Sequence, residues 1–224
     1  MLIGLSSHEP QVGKSSIVKF LKKNHDFINT EMSDAICILA DKFFGYNGDK
    51  SDTAQRKILQ DIGFMGKCID PTIWIYHALG LARRRKWGLV NDFISPSFLF
   101  HYHIQPMKDE ISSKGIEEFM EGGDVVIGGI RSPSEADEII KMGGKVYLVT
   151  RDPGHAQYAK KQHAVESELI GYDGFSGVIE NKGTLEELYE TVDIIIGNEK
   201  EELVYYTHYP IPINWEIPEK KEDK

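Results

Sequence analysis

Apolar positions along the chain fall into two rhythms that alternate. Met1–Ser7 is a short apolar run of strand type, and Ile17, Phe20 and Leu21 then recur at helical spacing. Asp26–Thr30 reads as a second strand, and Ser33 is placed to cap a helix to about Phe44 that carries Ala35, Ile36, Ile38, Leu39 and Phe43. Tyr46–Ser51 breaks it. A helix over Thr53–Ile62, a bend at Gly63–Asp70 and a third helix opened by Pro71, with Ile73, Trp74, His77, Leu79 and Leu81, follow. Residues 88–106 hold aromatics, His101 and His103 at strand spacing, and two prolines, and no single form fits them. The two histidines lack a Cys, Glu or Asp at ligand spacing, so they read as packing or surface groups.

Regularity returns with a strand at Val125–Gly128, a helix over Ser134–Met142 closed by Gly143-Gly144, and a strand at Lys145–Thr150. This is the unit of a parallel sheet. A polar helical stretch at 155–169, a strand at Gly177–Glu180, a capping box at Thr184-Leu-Glu-Glu and its helix to about Val192, and an apolar run Ile194–Ile196 complete the pattern. The fold class is therefore α/β, a mostly parallel sheet with helices on both faces and ligand chemistry at the carboxyl ends of the strands. The domain covers 1–198, and the proline-bearing stretch 199–224 reads as an irregular tail.

Composition narrows the setting. With 224 residues, 41% of them hydrophobic, one substantial domain can bury its own core. Cys37 and Cys68 sit in apolar helical surroundings and are expected as buried thiols rather than a disulfide. No basic leader precedes the first strand and no run is long enough to span a bilayer, which predicts a cytoplasmic protein without a membrane partner. The net charge of −9 argues against a nucleic-acid polymer, whose binding is dominated by phosphate neutralisation. The Arg83–Lys86 cluster suits either a small phosphorylated ligand or the negative end of a helix dipole.

The chemistry is carried by the turn after the first strand. Gly13, Lys14, Ser15 and Ser16 open the first helix as in a phosphate-binding P-loop, in which backbone N–H groups surround an anion, the Lys adds a mobile charge and the first Ser reaches Mg²⁺. The pattern asks for glycine where His8 stands, and His8 is expected to take up the left-handed backbone that glycine would supply. Arg131 and Arg151 follow the strands at 125 and 145 and would reach the same rim, where a guanidinium can hold two phosphate oxygens. The alternative for each is an ion pair, to Glu135 or Asp152.

An ordered series of segments resembles the deoxynucleoside monophosphate kinases of bacteriophages, which are similar in outline to the phosphomevalonate kinases of animals. It comprises the Gly-Lys-Ser loop, Leu59-Gln-Asp-Ile-Gly63 with Ile69-Asp-Pro-Thr-Ile-Trp74, Ile130-Arg-Ser-Pro-Ser-Glu-Ala136 leading to Gly143-Gly144, His163-Ala-Val-Glu-Ser-Glu-Leu169, and Asn181-Lys-Gly-Thr-Leu185. The resemblance implies transfer of the γ-phosphoryl of ATP to a deoxynucleotide, with Mg²⁺ bridging. Lys14 would hold the transferring phosphate, Ser15 the metal, and Arg131 the phosphate near the acceptor. Arg151 with residues 154–169 would form a lid. Within residues 31–90, Ser33, Asp34, Lys67, Asp70 and Trp74 would serve the acceptor side, Lys67 standing where the family carries Arg. Glu166 belongs to the same substrate-binding set, and the resemblance also implies a homodimer. The family carries Asp where this chain has Gly129; Asp34, Asp70 or Glu166 is then the expected substitute. That loss and His8 keep two other readings open: a P-loop protein that binds nucleotide without turnover, and a kinase of another small phosphorylated metabolite.

Overall fold

The computed structural model describes residues 1–49, 51–89, 101–151 and 168–208. Five parallel strands form one sheet in the order β2-β3-β1-β4-β5, with β1 at Leu2–Ser6, β2 at Ile28–Glu31, β3 at Val125–Ile130, β4 at Lys145–Arg151 and β5 at Gly177–Asn181. The α/β parallel architecture read from the sequence is the one observed. Alternation within the strands sends successive side chains into two cores, as the two-residue period of a strand requires. Leu2, Val125, Ile127 and Val146 enter one core, while Ile3, Leu5, Val126 and Val149 enter the other.

Helices α1 (Lys14–Asn24) and α8 (Leu185–His208) close the second core through Ile17, Val18, Leu21, Leu188, Val192 and Ile196. The first core is closed by α2 (Asp34–Phe44), α3 (Thr53–Ile69), α4 (Ile73–Lys86), α5 (His101–Lys114), the short α6 (Ile116–Phe119) and α7 (Pro133–Lys141). Helix α4 is buried from Ile73 through Ala82, which suits a helix that is apolar on every side.

Three expectations are corrected. The bend at Gly63–Asp70 is absent, and α3 runs unbroken to Ile69. Its glycines admit Trp74: a Cβ on Gly66 would stand 2.3 Å from the indole Cζ2, and the indole Nε1 donates to the Gly63 carbonyl at 3.0 Å. His101 and His103, whose segment fits no single form in the sequence, lie in helix α5. Helix α8 continues past residue 198 to His208, because a lone Gly197 costs only about 1 kcal/mol in a helix and the first proline of the tail is Pro210. Both cysteines are free thiols as expected, but Cys68 is exposed on the solvent side of α3. No helix among the described residues is long and apolar enough to cross a membrane.

Candidate active site

Strand β1 lies between β3 and β4, so the turn from its carboxyl end into α1 opens where chain connections diverge to the two sides of the sheet. That is where parallel α/β sheets bind ligands. Gly13 caps α1 in the left-handed region, with φ 107° and ψ 2°, and its carbonyl accepts from the N–H groups of Ser16 and Ile17, both at 3.0 Å. A side chain at 13 has no room: a Cβ there would stand 2.7 Å from the Asn181 Nδ2. The same Nδ2 donates to the Val12 carbonyl at 2.9 Å. Asn181, buried at the end of β5, therefore braces the turn from below.

The upper side of the turn is held by Ser7, whose hydroxyl donates to the Glu9 carbonyl at 2.8 Å. The Lys14 ammonium folds back over the loop and donates to the Ser7 Oγ. Ser15 is exposed on the first turn of α1, and Gly13, Lys14 and Ser16 are half-buried. His8 does not take up the left-handed backbone expected of it; Gln11 does, with φ 59°, one residue before Val12 and two before the glycine. The His8 ring lies edge-on to Phe175, centroids 6.4 Å apart, and packing rather than backbone freedom defines its place.

Arg131 follows the last residue of β3 and Arg151 is the last of β4, so the two guanidinium groups arise from the strands on either side of β1. Both residues are exposed. The Arg151 Nη1 lies 3.5 Å from the Gln11 carbonyl, at the long limit of a hydrogen bond, which sets it against the loop. The expected alternative for Arg131, an ion pair with Glu135, is not formed. Glu135 is buried and turned inward, where its Oε2 accepts from the N–H groups of Arg131 (2.8 Å) and Ser132 (3.1 Å) and its Oε1 meets the Lys67 ammonium at 2.9 Å. Asp152, the alternative partner of Arg151, lies outside the described residues, as does Glu166 with most of the expected lid.

The expected acceptor-side residues have other work in the fold. Lys67 holds Glu135 and approaches the Ser132 Oγ at 3.4 Å. Asp34 accepts from the Glu31 N–H at 3.1 Å and pairs with Arg85 at 2.9 Å. Asp70 caps the turn into α4 by accepting from the Thr72 N–H and Oγ1, both at 2.8 Å, and it pairs with Lys108. Burial pushes the Asp70 carboxyl up, but Lys108 and Thr72 outweigh it and hold the group below the usual carboxylate range. Trp74 is in the core, covered by Gly66, and has no face to offer a base. Ser33 caps α2 by position alone, with no side-chain hydrogen bond. The Arg83–Lys86 cluster is likewise structural: Arg83 meets Glu110 at 3.1 Å and lies over the Phe119 ring, and Lys86 donates to the Met120 carbonyl at 2.8 Å.

Three residues of this rim carry no sequence signal that assigns them a role at the site. Asn181 shows as a polar residue just past a strand and as the start of one of the resembling segments, with no role attached. Glu135 shows as the last residue of the Ser132-Pro-Ser-Glu capping pattern, which accounts for its N–H contacts but not for Lys67. Glu31 lies one residue past the strand read from the sequence; its carboxylate lies directly over Gly128, where a Cβ would stand 2.3 Å from the Oε1.

No family model matches the chain, and no curated protein matches it. Among solved structures it is similar to a dephospho-CoA kinase from Campylobacter jejuni, at 10% identity and a TM-score of 0.40, over 88% of this chain and 96% of that one. Nothing about substrate follows from so distant a likeness.

Proposed function

We propose that the protein is a phosphotransferase that moves the γ-phosphoryl of ATP to a small phosphorylated acceptor, a (deoxy)nucleoside monophosphate. The observation that carries this reading is the turn at the end of β1: a left-handed Gly13 capping α1, with the Lys14 ammonium folded over the loop onto Ser7. A helix N-terminus with a mobile ammonium above it suits a triphosphate, because partial positive charge and N–H groups converge on one anion. Mg²⁺, when bound, would bridge phosphate oxygens and neutralise charge that develops between them. Ser15, exposed on the first turn of α1, is the hydroxyl assigned to it.

Arg131 and Arg151, arising from the strands on either side of β1, suit charge that spreads over a phosphoryl group in transit. Transfer of this kind needs positioning and charge neutralisation rather than a nucleophilic side chain. The nucleotide acceptor is supported by the ordered resemblance to phage nucleotide kinases. A second reading, an acceptor outside the nucleotides, is favoured by one observation: Asp34, Lys67, Asp70 and Trp74 are all engaged inside the fold.

The test is ADP formation from Mg·ATP with each deoxynucleoside monophosphate in turn. Acceptor-dependent ADP that is lost in Lys14→Ala is the expected result. ATP binding without turnover on any nucleotide overturns the proposed acceptor, and absence of ATP binding overturns the phosphotransferase reading altogether.

A further inference from the structure

Gly129 leaves β3 without an acidic side chain beside the phosphate-binding turn, yet a carboxylate stands there. Glu31 ends β2 in register with Gly128 of β3. Its side chain leans across β3: a Cβ on Gly128 would lie 2.3 Å from the Glu31 Oε1 and 2.5 Å from its Cδ and Oε2, and one on Gly129 would lie 3.3 Å from Oε2. The Glu31 carboxylate thus occupies the volume that side chains at 128 and 129 would need. Gly129 also has φ +79°, a backbone few side chains adopt. The two glycines and the glutamate form one arrangement, in which the acid has moved one strand outward and reaches back.

The direction of that reach matters. β3 separates β2 from β1, so a side chain crossing β3 heads toward the strand that feeds the loop. The Lys14 ammonium rests on Ser7, immediately past the end of β1, and Ser6 is in register with Ile130. The ammonium thus stands past the end of β1, and the carboxylate reaches from β2 over the neighbouring β3.

We propose that Glu31 supplies the acidic group of the phosphoryl-transfer centre, holding the Mg²⁺ of Mg·ATP through the ion's water shell. The chemistry of the donor set fits that ion. Mg²⁺ dehydrates reluctantly and is held in such sites by one or two carboxylates together with substrate phosphates. Among the described residues no group of three or more His, Cys, Asp or Glu could hold a metal, and Glu31 would act together with the phosphates of the nucleotide. The inference rests on ATP binding at the loop, the first part of the function proposed above.

The experiment is a calorimetric titration of ATP, in Mg²⁺ and again in EDTA, into wild type, Glu31→Gln, Gly128→Ala and Lys14→Ala. Wild type is expected to bind more tightly with Mg²⁺. Glu31→Gln is expected to lower that Mg²⁺ advantage by about 10- to 100-fold, the usual effect of removing a partner of a metal's bound waters. Affinity in EDTA should stay unchanged or rise, because one negative charge has gone, and this also reports that the variant is folded. Gly128→Ala keeps the charge but displaces the carboxylate, and it should lower the same ratio. An unchanged ratio in Glu31→Gln, or an equal loss with and without Mg²⁺, overturns the role of Glu31. ATP binding that Lys14→Ala does not weaken overturns the loop reading instead.

Discussion

Asn181 and Val12, 169 positions apart in the chain, are joined by a 2.9 Å hydrogen bond from the carboxamide Nδ2 to the backbone carbonyl. The bond ties the end of β5 to the turn between β1 and α1, and the same carboxamide fills the space a side chain at 13 would need. Asn181→Ala removes the donor and leaves the Val12 carbonyl without it, a change that costs about 1–3 kcal/mol when the acceptor is buried. The loop then loses the group that fixes Gly13. The expected outcome is a lower midpoint in thermal unfolding together with weaker ATP binding. A variant that loses stability but binds ATP as wild type does would show the bond to be structural only.

Lys67 and Glu135 make opposite predictions depending on whether Lys67 serves the fold or the acceptor. Glu135 is buried, and besides Lys67 it satisfies the N–H groups of Arg131 and Ser132. Glu135→Ala therefore strands a charge and two donors, and destabilisation of about 3–5 kcal/mol is expected, as for other broken buried pairs. Lys67→Ala should cost less, because the carboxylate keeps both N–H partners. Chemical denaturation of the two variants measures the asymmetry. A Lys67→Ala protein of wild-type stability with a raised KM for the acceptor would return Lys67 to the substrate.

What could be read from the chain, and what could not, divides along the range of the interaction. The strands were legible because Leu2 and Ile3, or Val125 and Val126, alternate faces by local geometry alone. The cap on α8 was legible for the same reason: Thr184 and Glu187 exchange hydrogen bonds three residues apart. Gly66 was misleading, since its small size answers to Trp74 across a turn and a glycine in isolation reads as a breaker. At the site, Gly13 and Lys14 are adjacent and form a motif, whereas the position of Glu31 depends on the register of β2 against β3, which no spacing encodes. The pairing of Lys67 with Glu135 could not be read from the chain, because the two lie 68 positions apart.

Arg131 and Arg151 occupy different positions around the loop, and their substitutions should separate. Arg151 lies against the Gln11 carbonyl, so Arg151→Ala acts on the loop itself and should weaken ATP binding as well as slow turnover. Arg131 leaves β3 on the other side, its backbone N–H held by Glu135. Arg131→Ala is expected to lower kcat by about 100-fold or more, the range for loss of a donor to transition-state charge, with ATP affinity little changed. Arg131→Lys should recover little, since an ammonium cannot hold two oxygens as a planar fork does. Steady-state kinetics beside ATP titration checks both, and equal effects of the two alanine variants on ATP affinity would contradict the division.

Asp70 links the stability of the α3–α4 corner to pH. Its carboxylate accepts from Thr72 twice and pairs with Lys108, and these partners favour the charged form over the protonated one. The folded-state pKa is consequently below the ordinary carboxylate value, despite burial, which acts the other way. For a group shifted down, the stabilisation is complete above its unfolded pKa, near 3.9, and disappears as pH falls through the lower folded value. Asp70→Asn keeps an oxygen for Thr72 but loses the charge facing Lys108. At neutral pH the variant should be less stable by about 1–2 kcal/mol, the scale of a hydrogen bond to a charged group. On acidification the gap should close, because wild type then carries a neutral side chain as well. Unfolding free energies of both proteins from pH 7 down to the acid limit of the native state test this, and a gap that stays constant below pH 4 would mean that Lys108 contributes nothing through charge.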